Sequence, residues 1–180
     1  MTRVSNGSLA AAVFAAALAI AGAEDAAAQA APAGQGTRPL AVEGAVGWAG
    51  FLDEAIDHHG LFGGALRLPL GRRLSVGPEL LLARGDHGHD TFVLGSLWID
   101  LGPDPARARV VPYVVVGGGY MWFSQRFGGA RFTSGEGSFT AGGGARVHLT
   151  DRIYVGGEAR LGWEPHLRIA GVIGTTWPGR

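Results

Sequence analysis

The chain contains no cysteine, so disulfide staples, thiolate metal sites and lipid attachment through a lipobox are excluded. Lysine is absent too: the 15 basic residues are all arginine and, against 15 acids, leave a formal charge of zero. No basic stripe with interleaved aromatics occurs, which removes nucleic acid as an expected partner. After Leu40 no helical apolar period is found. The longest apolar stretch, Leu9–Ala23, falls short of the roughly twenty residues a helix needs to span a bilayer. What the chain does have is glycine, 32 of its 180 residues, without a collagen period. That abundance fits one β-rich domain with many turns and close backbone approaches.

The beginning of the chain reads as an export signal. Arg3 gives a weakly basic start, Leu9–Ala23 a short apolar stretch, and Ala28-Gln29-Ala30 a small-residue cleavage site. Residues 1–30 are therefore expected to be a cleaved signal peptide, 31–39 a flexible lead-in, and 40–177 the folded domain.

Within that domain eight runs show period-two patterning, each closed by turn-forming residues: 41–52, 61–70, 74–84, 91–101, 110–124, 138–149, 153–163 and 167–177. An even number of strands suits an up-and-down closed barrel, and these lengths match the roughly nine to eleven residues with which a tilted strand crosses a membrane. From Ile153, one face carries Val155, Gly157, Ala159, Leu161 and Trp163, and the other Tyr154, Gly156, Glu158 and Arg160. In 74–84, Val76, Pro78, Leu80 and Leu82 oppose Ser75, Gly77 and Glu79. The run 110–124 is apolar on both faces, so its sides cannot be assigned by parity. Pro78 and Pro112 lack a ladder donor and are expected at strand starts, bulges or local defects.

Which face is interior decides the solvent. A soluble barrel buries its apolar face, and a membrane barrel turns it toward lipid. Here the charged face is also rich in Gly and Ala, which suits a narrow lumen better than a solvated surface. The expected fold is an all-β, eight-stranded antiparallel up-and-down transmembrane barrel. Outer loops are expected at 53–60, 85–90, 125–137 and 164–166, with inner turns at 71–73, 102–109 and 150–152.

The stretches PYVVVGGGYMWF (112–123) and GGGARVHLTDRIYVGGEARLGW (142–163), with a last run ending at Trp177, resemble the OmpA-like small outer-membrane β-barrel superfamily. The resemblance implies an outer-membrane barrel with a plugged polar lumen. Such chains usually end on an aromatic residue read by the barrel-insertion machinery, whereas Pro178, Gly179 and Arg180 follow Trp177 here.

Inward parity selects Glu43, Arg67, Glu79, Asp100, Arg146, Glu158, Arg160 and Arg168 as lumen residues. Their charges balance, as buried charges must, so a structural ion-pair network is expected, with a narrow porin-like pathway as the alternative. Asp53, Glu54, Asp57, His58 and His59 in one expected loop, and Asp86, His87, His89 and Asp90 in the next, combine imidazole with carboxylate. His58, His59, His87 and His89 are thus the metal-ligand candidates, although neither spacing is a metal signature. His148, Thr150 and Glu158 stand in the order of a His-Ser-Glu lipid A hydrolase with Thr in place of Ser. The period points them inward, and two of the three lie by the 150–152 turn, away from such a substrate. Trp48, Phe62, Trp163 and Trp177 fall on the apolar face near run ends, where interfacial aromatics belong. The reading is of a non-enzymatic, monomeric barrel surrounded by outer-membrane lipid, without a cofactor. The rival is a soluble periplasmic lipocalin-like barrel binding an apolar ligand.

Overall fold

The computed structural model describes residues 39–51, 57–85, 88–102, 108–127, 130–163 and 166–177. The expected signal peptide, lead-in residues 31–38 and the candidates Asp53, Glu54, Asp86 and His87 lie outside these, as does the side chain of Asp57.

Eight strands form: β1 (Leu40–Phe51), β2 (Asp57–Pro69), β3 (Leu74–Arg84), β4 (Gly88–Asp100), β5 (Val110–Phe127), β6 (Ala130–His148), β7 (Ile153–Gly162) and β8 (His166–Trp177). Each pairs antiparallel with its sequence neighbours, and β1 closes the barrel on β8 from Leu40↔Trp177 to Phe51↔His166. Alternation of small or polar with aliphatic residues, rich in Val and Ile, makes these segments strands. Closure leaves the sheet without a free edge across the belt, so ladder pairing satisfies the backbone there without water, apart from a two-residue lapse at Pro78. Leu40 and Trp177 lie at one end with the connections 70–73, 101–109 and 149–152, and we call this the terminal end. The distal end carries 52–56, 85–87, 128–129 and 163–165.

The expected asymmetry of short inner turns and long outer loops is not found. β2 starts at Asp57, β4 at Gly88, and β5 and β6 continue as a ladder to Phe127↔Ala130. The stretch 125–137 reads as a loop because Gly, Ser and Thr dominate it. Ladder hydrogen bonds, however, do not require an apolar face, and beyond the end of β7 (Gly162, opposite Thr140) the β5–β6 ribbon runs on by itself. His58, His59 and His89 consequently sit on strands, not in loops.

Pro78 is a local defect without a register shift. The β2–β3 ladder lapses opposite Leu66 and Arg67 and resumes in the same register at Leu68↔Val76. Pro112 lies near the start of β5. Gly102, with φ of 98°, turns the chain out of β4 in a conformation that L side chains rarely adopt. Gly174 serves the interior differently: a Cβ there would lie 2.1 Å from the Tyr154 ring, so its absence makes room for that ring in the lumen.

At the 149–152 turn the Thr150 hydroxyl accepts from the backbone N–H groups of Arg152 (3.2 Å) and Ile153 (3.0 Å), while Leu149 N–H donates to Ile153 O (2.9 Å). The hydroxyl caps donors that the turn leaves over. Thr150→Ala is expected to cost about 1 kcal/mol, measured by urea titration of the refolded barrel. Thr150→Ser should restore most of it.

Candidate functional site: the ion-paired lumen

Alternation sends two chemically different surfaces in opposite directions. Outward lie Val46, Phe62, Leu80, Leu161, Ile169 and Ile173, with Leu80 51% and Leu161 60% exposed. Inward lie Arg67 and Glu79, at 2% and 5%. Among the described residues the outward belt carries no charge until its distal edge, where His58, Arg84 and His89 begin a polar row. Trp48, on β1, donates from Nε1 to His58 Nδ1 at 3.0 Å, at the same level. Tyr120 and Trp122 pack ring to ring at 4.7 Å on the outside of β5, above Gly135, whose missing Cβ would meet both rings. Trp163 stands at the distal end and Trp177 at the terminal end, both largely exposed.

The interior is layered. Nearest the terminal end, Arg67 donates from Nη1 to Glu43 Oε1 at 2.9 Å and lies 3.4 Å from Asp100 Oδ1, which Arg146 also engages. Tyr154 donates its hydroxyl to the same Glu43 oxygen at 2.6 Å. Arg67 further stacks over Trp98 (4.8 Å) and Tyr113 (5.4 Å), and Arg146 over Tyr113 (5.0 Å). The guanidiniums thus have both acids and ring faces as partners.

The next layer centres on Glu79, which accepts from Ser96 Oγ (2.7 Å) and Arg160 Nη1 (2.9 Å), with Arg168 Nη2 at 3.5 Å. Arg160 also donates from Nε to Glu158 at 2.5 Å, and Tyr113 donates to the other Glu158 oxygen at 3.1 Å. The structure therefore brings all eight inward candidates into one chain of charge-assisted contacts, placed by β1, β2, β3, β4, β6, β7 and β8.

Sequence reasoning missed Tyr113, Tyr154, Ser96 and Trp98 as members of this chain. Inward parity places Tyr154 with Glu158 and Arg160, so that residue carried a signal. Tyr113 lies in the run whose two faces are alike, and no signal marked it.

Sequence reasoning also missed the third layer, which is apolar. Leu61, Leu81, Phe92, Leu94 and Met121 pack with Ala49, Ala83 and Ala170 across the distal half of the lumen, with Phe123 against them. At its boundary with the ionic layer a cavity of only about 10 Å³ remains, lined by Glu79, Glu158, Arg168 and neighbouring aliphatics. Above it, His59 Nε2 lies 3.7 Å from Asp90 Oδ2, and His166 Nδ1 is 3.0 Å from Trp163 O.

The metal candidates do not converge. His58 and His59 are consecutive strand residues and face opposite sides of the wall, His59 buried against Asp90 and His58 exposed beside Trp48. His89 is exposed on β4. Among the described residues no three metal-ligating side chains come together. The His148, Thr150 and Glu158 order does not form a catalytic set either. The Thr150 hydroxyl caps its turn, and Glu158 is held by Arg160 and Tyr113.

An aliphatic exterior around an ion-paired interior, in a sheet closed on itself, defines a membrane-spanning β-barrel. The lipocalin-like arrangement would need the reverse, with Leu80 and Leu161 inside. The chain belongs to the outer membrane protein β-barrel domain family, whose model matches residues 12–168. That family agrees with the OmpA-like resemblance of the sequence. No curated protein matches it in sequence. Among solved structures it is similar to the N-terminal barrel domain of Pseudomonas aeruginosa OprF (16% identity, TM-score 0.61, 79% of this chain and 100% of that one). It is similar also to Neisserial surface protein A (9%, 0.63, 77% and 96%) and to Ail, the attachment invasion locus protein of Yersinia pestis (12%, 0.56, 79% and 97%). At these identities the likeness is one of fold.

Proposed function

We propose that the protein is a resident, non-enzymatic outer-membrane barrel with a lumen closed to ions, and that it serves envelope structure or surface interaction. Residues 1–30 act as the export signal and are removed. The barrel-insertion machinery then delivers the chain as a monomer into outer-membrane lipid, terminal end toward the periplasm.

The observation that carries this reading is the stacking of the ion-paired layers under an apolar one, with about 10 Å³ left between them. That volume holds about one water at most, and a hydrated ion passing Phe92 and Met121 would lose its solvent without gaining a partner. A narrow porin would instead need a continuous polar path. The contacts of Thr150 and Glu158 with turn and network likewise favour a structural role over hydrolysis.

The protein is expected in the outer-membrane fraction, with a gel mobility that changes on boiling. In planar bilayers both the wild type and Glu158→Ala are expected to give no steady conductance, although Glu158→Ala should lower stability. Long-lived single-channel steps from the wild type would overturn the closed lumen, and recovery in the soluble periplasmic fraction would overturn the membrane assignment.

A further inference from the structure

The lumen is closed in its middle and distal parts and wide at its terminal end. A cavity of about 520 Å³ opens there, large enough for a small organic ligand. Among the described residues its charged lining is unbalanced: Arg67, Arg109 and Arg146 line it with His148, against the single acid Asp151.

The reason for the imbalance lies in how the first ionic layer is built. Arg67 and Arg146 turn their Nη ends deeper into the barrel, toward Glu43 and Asp100. Those acids do not line the cavity, whereas Arg67 and Arg146 do. Arg146 is 4% exposed, yet its Nε has no hydrogen-bond partner. A buried guanidinium N–H left over in this way is a donor still lacking an acceptor. Arg109, at the mouth, is exposed and carries no ion pair among the described residues. Tyr154, whose hydroxyl is committed to Glu43, forms part of the wall.

We infer that this mouth is a binding site for the phosphate group of a small solute that enters along the barrel axis. The phosphate would accept from Arg109 at the rim and, once the Arg146 side chain turns its buried Nε–H toward the cavity, from Arg146 at the floor, as planar arginine donors favour. Entry is axial because β1 and β8 pair without a gap from Leu40 to His166, leaving no lateral opening at that seam. A lipid headgroup carries the same phosphate but would have to reach the floor over the rim.

The test uses the whole barrel, labelled with ¹⁵N-arginine and refolded in zwitterionic micelles, with the arginine Nε–H resonances followed during titration. Sodium phosphate and glycerol phosphate are expected to shift Arg146 Nε–H saturably, and sodium chloride at matched ionic strength is not. Arg109→Gln, which touches no lumen ion pair, is expected to weaken the apparent affinity about tenfold while leaving the heat-dependent gel shift unchanged. Arg146→Gln would remove the reporting N–H itself and disturb Asp100, so Arg109→Gln is the deciding variant. The site is refuted by an absent shift at phosphate on the order of tens of millimolar, the weak end of specific binding. An equal response to chloride, or equal affinity in wild type and Arg109→Gln, refutes it as well. Nanodiscs containing phosphatidylglycerol and no free phosphate form the last arm. A response confined to them would overturn axial entry of a free solute and assign the phosphate to lipid.

Discussion

Arg67→Ala is expected to destabilise the barrel by about 3–5 kcal/mol, the usual cost of removing one partner from a buried ion pair. The side chain is 2% exposed and holds Glu43 at 2.9 Å and Asp100 at 3.4 Å, with Trp98 and Tyr113 on its faces. Its loss would leave Glu43 with only the Tyr154 hydroxyl and Asp100 with one fewer arginine, two buried acids short of their counter-charge. Urea-dependent unfolding in lipid vesicles, read by the heat-dependent gel shift, measures the effect. Because the penalty arises from the stranded acid, adding Glu43→Gln to Arg67→Ala should recover part of the loss. A change below about 1 kcal/mol, the range of exposed pairs, would mean that the pair is solvated and the interior wetter than its packing indicates.

The second large effect tests the exterior. Leu80 projects from β3 near the middle of the apolar belt and is 51% exposed. Leu80→Arg is expected to cost about 2–4 kcal/mol in a bilayer, whereas Thr91→Arg, one residue pair nearer the distal polar row, should cost only about 0–1. The depth gradient is the informative part. On a water-facing barrel both substitutions would fall within about 0.5 kcal/mol of zero. Costs near zero at both positions would therefore refute a lipid-facing belt.

Most of the fold was legible because one face of most strands is chemically marked. In 153–163 the charges and small residues keep strict parity, so the inward set follows from counting by two. Two adjacent strands lacked that mark. β4 carries Phe92 and Leu94 inward against Val93 and Leu97 outward, and β5 carries Val111, Val115 and Met121 inward against Val114 and Val116. An interior presumed polar throughout had no place for these residues. Phe92, Leu94 and Met121 supply the apolar layer and Val115 packs with Trp98 and Tyr113, which is why the two faces of these strands look alike. The strand ends were illegible for a different reason. Gly, Ser and Thr between 130 and 138 pair across to β5 as readily as Val would. Ladder pairing depends on the backbone, and composition alone cannot separate an extended ribbon from a loop.

The histidines show how a cluster in one dimension separates in two. His58 and His59 are neighbours along the chain, and a strand places neighbours on opposite sides. One came to the outer surface beside Trp48 and the other to the interior beside Asp90. In a flexible loop both could have turned to a common ion. The extension of β2 to Asp57 removed that freedom.

The seam between β1 and β8 has a consequence for biogenesis. Its partners are the first and last strands, Leu40 beside Trp177, a pairing of large sequence separation whose closure is slow. Until the last strand arrives, the growing sheet has two raw margins whose amide groups find neither water nor partner in hydrocarbon. No fragment short of the whole sheet can therefore rest in the bilayer, so the two margins must meet before or as the strands enter it.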